Sequence, residues 1–103
     1  MSVVFSGTWI ASLPRQNVQT KIIFSSTNST VTVETPTGQQ KSTGIWAEDG
    51  NGNFVIQYLE TGHPFNGVWS GTHDATSGSG FHVEYSQHRQ LAGLERATFA
   101  KQP

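Results

Sequence analysis

The sequence contains no cysteine, little charge and no long apolar run. Without cysteine, the chain has neither a disulfide framework nor thiolate ligands for a metal ion. Only 13% of the residues are charged and the formal net charge is −1, which argues against a protein that binds DNA, RNA or acidic membranes. No apolar stretch approaches the roughly 18 residues of a membrane span, and the start, MSVVFSGTW, lacks the features of a signal peptide. We therefore expect a single soluble domain over residues 1–103, cytoplasmic rather than secreted.

A convincing helical pattern is also missing. The best candidate, residues 88–102 (HRQLAGLERATFAKQ), carries Gly93 in its interior and closes with the alternating ATF, so we interpret it as a strand. The rest of the chain is rich in Ser, Thr, Gly, Asn and Gln, with β-branched and aromatic residues between them, which is typical of strands and turns. Strands are predicted at residues 4–12, 19–26, 30–35, 41–48, 53–60, 65–73, 80–87 and 93–101.

Turn signals separate these strands, among them DATSGSG at 74–80. With no helix to make parallel crossovers, the strands must run antiparallel to their neighbours. The pattern therefore predicts an all-β fold, an antiparallel up-and-down meander of about eight strands forming a small closed barrel. Closure would remove the exposed sheet edges.

Each of the three tryptophans follows a glycine by two residues, in GTW at 7–9, GIW at 44–46 and GVW at 67–69. Residues i and i+2 of a strand share one face. Each glycine is therefore predicted to leave a notch for its tryptophan and to let a small barrel bend. Two interpretations stay open: the rings fill the core, or they line a cavity at one open end, since an eight-stranded barrel can hold one small ligand.

Three motifs resemble, in order, motifs of the avidin/streptavidin family. GTW at 7–9 resembles the opening of the family's first strand, WSG at 69–71 its sixth strand and TFAK at 98–101 its eighth. The resemblance implies a calycin-type eight-stranded barrel that binds a small organic ligand. It also implies a homo-oligomer built by packing barrel faces, for which the face bearing Val55, Gln57 and Leu59 is a candidate.

Further segments extend the resemblance over nearly the whole chain. STGIW at 42–46 is similar to the family's fourth strand, and the pair Phe54/Tyr58 in FVIQY is similar to the aromatic pair of its fifth. Tyr85 lies at the spacing of a ligand-wall tryptophan. Aromatic and hydroxyl side chains supply the candidate ligand-binding residues: Trp9, Trp46, Tyr58, Trp69 and Tyr85, with Ser12, Thr43 and Ser70.

The polar end of the family's biotin site is missing from this sequence. Ala11 stands two residues after Trp9, where the family has Asn, and Ala97 stands before Thr98, where the family has Asp. The third strand, VTVET at 31–35, lacks the family's tyrosine. A buried site loses affinity steeply when its hydrogen-bonding partners are missing. We therefore expect biotin to bind weakly or not at all.

No catalytic or metal-binding signature is present. His82 and Glu84 share a strand face at a spacing that metal sites use, with His73 a candidate neighbour, but their polar, turn-rich surroundings favour solvated side chains. The acidic residues lie at turns or alternate with apolar residues on an outward face, so no buried carboxylate pair is indicated. For Glu95 and Arg96 two interpretations stay open, a buried charge at the barrel mouth and a surface ion pair. We expect no enzyme activity, no cofactor and no metal.

Three functions fit these observations. The first is a barrel that binds a small organic molecule in an aromatic cavity. The second is a lectin, because low charge, many small polar residues and exposed aromatic rings suit carbohydrate. The third is a protein-binding barrel, such as a protease inhibitor, that acts through its loops.

Overall fold

A computed structural model of the chain describes residues 6–15, 17–25, 27–35, 41–59, 65–86 and 91–103. These residues form eight β-strands. In chain order the strands are β1 (Thr8–Leu13), β2 (Val18–Phe24), β3 (Thr30–Glu34), β4 (Lys41–Glu48), β5 (Asn53–Leu59), β6 (Phe65–His73), β7 (Ser77–Ser86) and β8 (Leu91–Lys101). The segment with the best helical pattern is strand β8, as predicted.

The strands close into a barrel. Each strand pairs antiparallel with the next in the chain, and β1 pairs with β8, where Ala11 lies opposite Phe99. This confirms the predicted all-β, up-and-down closed barrel. No helix in the described part of the chain is long and apolar enough to cross a membrane.

Alternate residues of each strand fill the interior. On β1, TWIASL, the buried residues are Trp9, Ala11 and Leu13, and on β5 the same alternation buries Phe54, Ile56 and Tyr58. Aromatic rings run in contact along the barrel axis. The sequence of contacts is Trp69 to Phe99 at 5.7 Å, Phe99 to Phe54 at 5.1 Å and Phe54 to His73 at 5.7 Å between ring centroids. The middle of the barrel is therefore a packed core.

The glycines next to the tryptophans serve a different purpose from the predicted one. Gly67 lies directly opposite Tyr58 on β5, and a Cβ at Gly67 would overlap the Tyr58 ring. A Cβ at Gly44, also opposite Tyr58, would overlap the backbone oxygen of Gln57. The space left by these glycines therefore holds a tyrosine and the backbone of the neighbouring strand, so the idea that each makes a notch for its own tryptophan is wrong.

The turn predicted at 74–80 is shorter than expected. Strand β7 begins at Ser77, and the Asp74 carboxylate closes the turn by accepting hydrogen bonds from the backbone N–H groups of Thr76 and Ser77, both at 2.9 Å. The SGSG sequence therefore belongs to the strand. A Cβ at Gly80 would overlap the backbone of β6, which explains a glycine inside a strand.

His73 closes one end of the barrel. It is buried, its Nδ1 donates to the backbone oxygen of Asp74 at 2.9 Å, and its Nε2 lies 3.3 Å from a carboxylate oxygen of Glu48. Its ring meets the edges of Trp9 and Phe54. The expectation that His73 is solvated is wrong, because the alternation of β6 that buries Trp69 also turns His73 inward.

Candidate functional site

A cavity of about 180 Å³ lies at the opposite end of the barrel from His73. At this end β1, β5 and β7 finish and β2, β6 and β8 begin. We call it the mouth cavity and define it by its lining residues, which are Leu13, Val18, Thr20, Tyr58, Trp69, His82, Glu84, Gly93 and Glu95. Small cavities of this size hold a molecule of about one ring, since one of roughly 150 Å³ is known to bind benzene.

Three aromatic side chains from β5, β6 and β7 meet in this cavity. The hydroxyl of Tyr58 shares a hydrogen bond with Nε2 of His82 at 2.7 Å, and the two rings are parallel within 5°. The ring centroid of His82 lies 4.1 Å from that of Trp69. Direct pairing of His82 with Trp69 across neighbouring strands places them there.

His82 is neutral at physiological pH. Burial lowers the pKa of His82 from its usual 6.5 to about 4, and Coulombic attraction to Glu95 offsets only part of this effect. A neutral imidazole has one N–H donor and one acceptor nitrogen. His82 can therefore hold the Tyr58 hydroxyl in place without adding positive charge to the mouth cavity.

Two carboxylates line the side of the cavity formed by β7 and β8. Glu84 lies opposite Gly93, and His82 lies opposite Glu95, so the two acids are diagonal neighbours on the inner face. The strand pairing shifts register between Glu84 and Tyr85, an irregularity of the kind that often re-aims side chains near functional sites. The expectation that acids face outward and that His82 is solvated is wrong here.

The reason lies in the order of residues on the two strands. On β7 the apolar Val83 alternates with His82 and Glu84, and on β8 Leu94 precedes Glu95. Hydrophobic alternation alone would turn the apolar residues inward. In the structure Leu94 is exposed and Arg96 lies on the outer face, its guanidinium 5.8 Å from the Phe81 ring centroid. Of the two interpretations left open for Glu95, the structure supports the charge at the mouth.

Trp69 brings a buried donor to the site. The side chain is 1% exposed, and within the described part of the chain its indole Nε1 has no hydrogen-bond partner. A buried N–H without a partner is unfavourable by an amount comparable to a lost hydrogen bond.

No family model, curated protein or solved structure matches this chain. The closed eight-stranded meander is compatible with the avidin-like barrel that the motifs suggest. Because one barrel architecture carries many unrelated functions, function has to be inferred from the mouth cavity itself.

The four predicted aromatic site residues whose side chains are described lie in two places. Tyr58 and Trp69 line the mouth cavity. Trp9 and Trp46 belong to the core, where Trp9 Nε1 donates to the backbone oxygen of Ser6 at 3.0 Å and Trp46 packs edge-on against Phe24 with ring centroids 5.1 Å apart. Of the two interpretations left open for the tryptophans, a cavity wall therefore applies to Trp69 and core packing applies to Trp9 and Trp46.

The three predicted hydroxyl residues, Ser12, Thr43 and Ser70, lie on the outer face of the barrel. Each is an odd number of positions from the inward tryptophan of its strand, so the period of two turns it outward. None of the three lines the mouth cavity, whereas Thr43 borders a separate depression together with Ile45, Gln57 and Tyr58. The side chain of Tyr85, the remaining candidate, lies outside the described part of the structure.

Among the described residues, no group of three or more His, Asp or Glu side chains is arranged to hold a metal ion. The mouth cavity instead offers carboxylate acceptors, aromatic rings, and an apolar wall from Leu13 and Val18. This set suits an organic molecule with both polar and apolar parts.

Proposed function

We propose that this chain is a non-enzymatic binding protein that takes a small organic molecule into the mouth cavity. One observation carries the proposal: a cavity at the barrel mouth is lined by an apolar wall, by the Trp69 ring and by the hydrogen-bonded pair Tyr58 and His82. Concave sites that combine apolar and aromatic walls with convergent polar groups are the usual form of a small-molecule site, and polar residues make up about half of this lining. The avidin-like motifs support the same reading, since that family also binds its ligand inside a barrel.

Tight binding of biotin is not part of the proposal. Ala11 and Ala97 are buried and face the interior, where the family would place Asn and Asp, and the hydroxyls of Ser12 and Ser70 face outward. At roughly 1–3 kcal/mol for each buried bond left unmade, two missing partners should weaken binding by several powers of ten. Isothermal titration calorimetry should detect no nanomolar affinity for biotin, and a nanomolar dissociation constant would show this reasoning to be wrong.

The mouth cavity can be blocked by a single substitution. A Cβ at Gly93 would meet only Glu84 atoms, at the ordinary contact distance of 3.9 Å, so Gly93→Val should fold normally while its methyl groups enter the cavity. Trp46→Phe, which alters a core ring away from the cavity, is the matched control. Single-ring compounds such as phenol, benzamide and indole, and the monosaccharides glucose and N-acetylglucosamine, are suitable probes.

We expect at least one single-ring compound to raise the melting temperature of the wild-type and Trp46→Phe proteins and to leave that of Gly93→Val unchanged, since only ligands bound to the native state stabilise it. Binding that survives in Gly93→Val would place the ligand elsewhere. Monosaccharide binding of that kind would favour the lectin alternative. Absence of binding by every probe, together with a native mass spectrum free of any co-purified small molecule, would overturn the proposal.

A further inference from the structure

The charge of the mouth cavity restricts the ligand it can take. Two of the nine lining residues are acidic and none is lysine or arginine. Lys21 pairs with Glu34 at 3.6 Å, Arg96 packs on Phe81, and Lys101 reaches Ser6 at the other end of the barrel. Arg15 is exposed in the turn after β1 and does not line the cavity. The neutral state of His82 leaves the two carboxylates as the dominant charges of the site.

The two carboxylates are arranged to converge on one guest. Glu84 and Glu95 lie on neighbouring strands at diagonal positions, a relation that places Cα atoms roughly 7–8 Å apart. Gly93, between them on the inner face, has no side chain to fill the space in front of Glu84. A positively charged group with several N–H donors fits such a pair, because hydrogen bonds between charged partners are about twice as strong as neutral ones.

The rest of the cavity argues for an organic cation over a metal ion. Leu13 and Val18 form an apolar wall, and Tyr58, Trp69 and His82 supply aromatic surface. Hydrated metal ions gain nothing from such surfaces, and no metal-holding group of three side chains occurs among the described residues. An amine or amidine attached to an apolar body of about one ring can contact both the carboxylates and the apolar and aromatic surface of the cavity.

We propose that the mouth cavity binds a small organic cation, an amine or amidine of about one ring, whose charged N–H groups donate to Glu84 and Glu95 while its apolar part packs against Leu13, Val18 and the aromatic residues. This inference rests on the proposed function and adds the chemical class of the ligand.

Three probes of nearly the same shape separate charge from size: benzamidine (a cation), benzamide (neutral) and benzoate (an anion). Calorimetry at pH 7 on the wild-type protein should show benzamidine binding at least about tenfold more tightly than benzamide, and benzoate should not bind. Because this comparison uses no variant, it does not depend on whether a substitution folds.

The variants Glu84→Gln and Glu95→Gln keep the shape of each side chain and remove its charge. Each variant should weaken the affinity for benzamidine by about tenfold or more and change the affinity for benzamide by less than a factor of about two. Glu34→Gln, which removes a buried carboxylate that pairs with Lys21 and does not line the cavity, is the matched control and should leave the affinity for all three probes unchanged.

Two negative outcomes are distinguishable. If benzamide or benzoate binds as tightly as benzamidine and Gly93→Val abolishes that binding, the cavity is a ligand site but the assignment of a cation is wrong. If none of the three probes binds and no small molecule co-purifies, the cation and the proposed function both fail.

Discussion

Among single residues, His82 makes the stability of this barrel depend on pH. Its folded-state pKa lies near 4, below the usual 6.5, because burial penalises the charged imidazolium. As pH falls through 6.5 the unfolded chain binds a proton first, so unfolding becomes easier. The contribution of neutral His82 is fully present above about pH 6.5 and is lost progressively between 6.5 and 4.

We therefore expect the free energy of unfolding to decrease from pH 6.5 to pH 4, measured by urea denaturation at a series of pH values. His82→Gln retains an acceptor for the Tyr58 hydroxyl but does not titrate, so its decrease over that window should be smaller. The pKa values of Asp49 and Asp74 are lowered from their usual 3.8 by hydrogen bonds to their carboxylates. These two residues should therefore change the free energy of unfolding only below about pH 3.8. Parallel curves for the two proteins between pH 6.5 and 4 would contradict the assignment to His82.

A second prediction at this scale compares two glycines that face the interior. Gly67→Val should place its Cβ inside the Tyr58 ring and decrease the free energy of unfolding by on the order of 1–3 kcal/mol, as overpacking does. Gly93→Val meets only ordinary contacts and should cost less than about 1 kcal/mol. Urea denaturation of both variants checks the ranking; equal stabilities would mean that Tyr58 moves out of the space beside Gly67 without cost.

Between elements, the β6–β7 connection depends on one carboxylate. Asp74 accepts from the N–H groups of Thr76 and Ser77, and these bonds lower its pKa. Asp74→Ala should lower the melting temperature. Asp74→Asn keeps an acceptor oxygen, so its melting temperature should lie between those of Asp74→Ala and the wild type. The difference between wild type and Asp74→Asn should begin to decrease below about pH 3.8 and be lost as pH falls through the lower pKa of the folded state, because the carboxyl group protonates first in the unfolded chain. Ala75→Ser, in the same exposed turn, serves as the control.

Individual strands show where prediction from the sequence succeeds and where it fails. Turn residues and β-branched runs located all eight strands, because those features act locally. On β5 the family resemblance, rather than the alternation, selected Phe54 and Tyr58, and the structure buries both. On β7 and β8 the inward face at the mouth carries His82, Glu84 and Glu95, and the outward face carries Val83 and Leu94. In a cavity with a polar lining, polar side chains occupy the inner face, which is the opposite of a packed core. The hydrophobic alternation of β7 and β8 therefore predicted the wrong inward face at the mouth cavity.

For the whole molecule, the resemblance leaves a prediction about assembly. Val55 and Phe81 are exposed on the outer side of β5 and β7, where both lie opposite Ser70 of β6, and Val55 belongs to the face selected from the sequence. We propose that this face pairs two copies of the chain by an isologous contact. Sedimentation velocity at micromolar concentration should show a dimer or larger species for the wild type and a monomer for Val55→Glu. Thr98→Glu, an equally exposed outer position, should not change the wild-type result. A strictly monomeric wild type would count against the family analogy and leave the barrel intact.

Closure of the barrel also determines how this protein can be attached to a surface. Gln102 N donates to the backbone oxygen of Thr8 at 2.8 Å, and the amine of Lys101 lies 3.3 Å from the hydroxyl of Ser6. Both lie at the end away from Trp69 and Glu95. A tether fused after Pro103 would therefore hold the barrel with its cavity facing the solution. Immobilised in this orientation, the protein would present Trp69 as a fluorescent reporter beside every captured molecule.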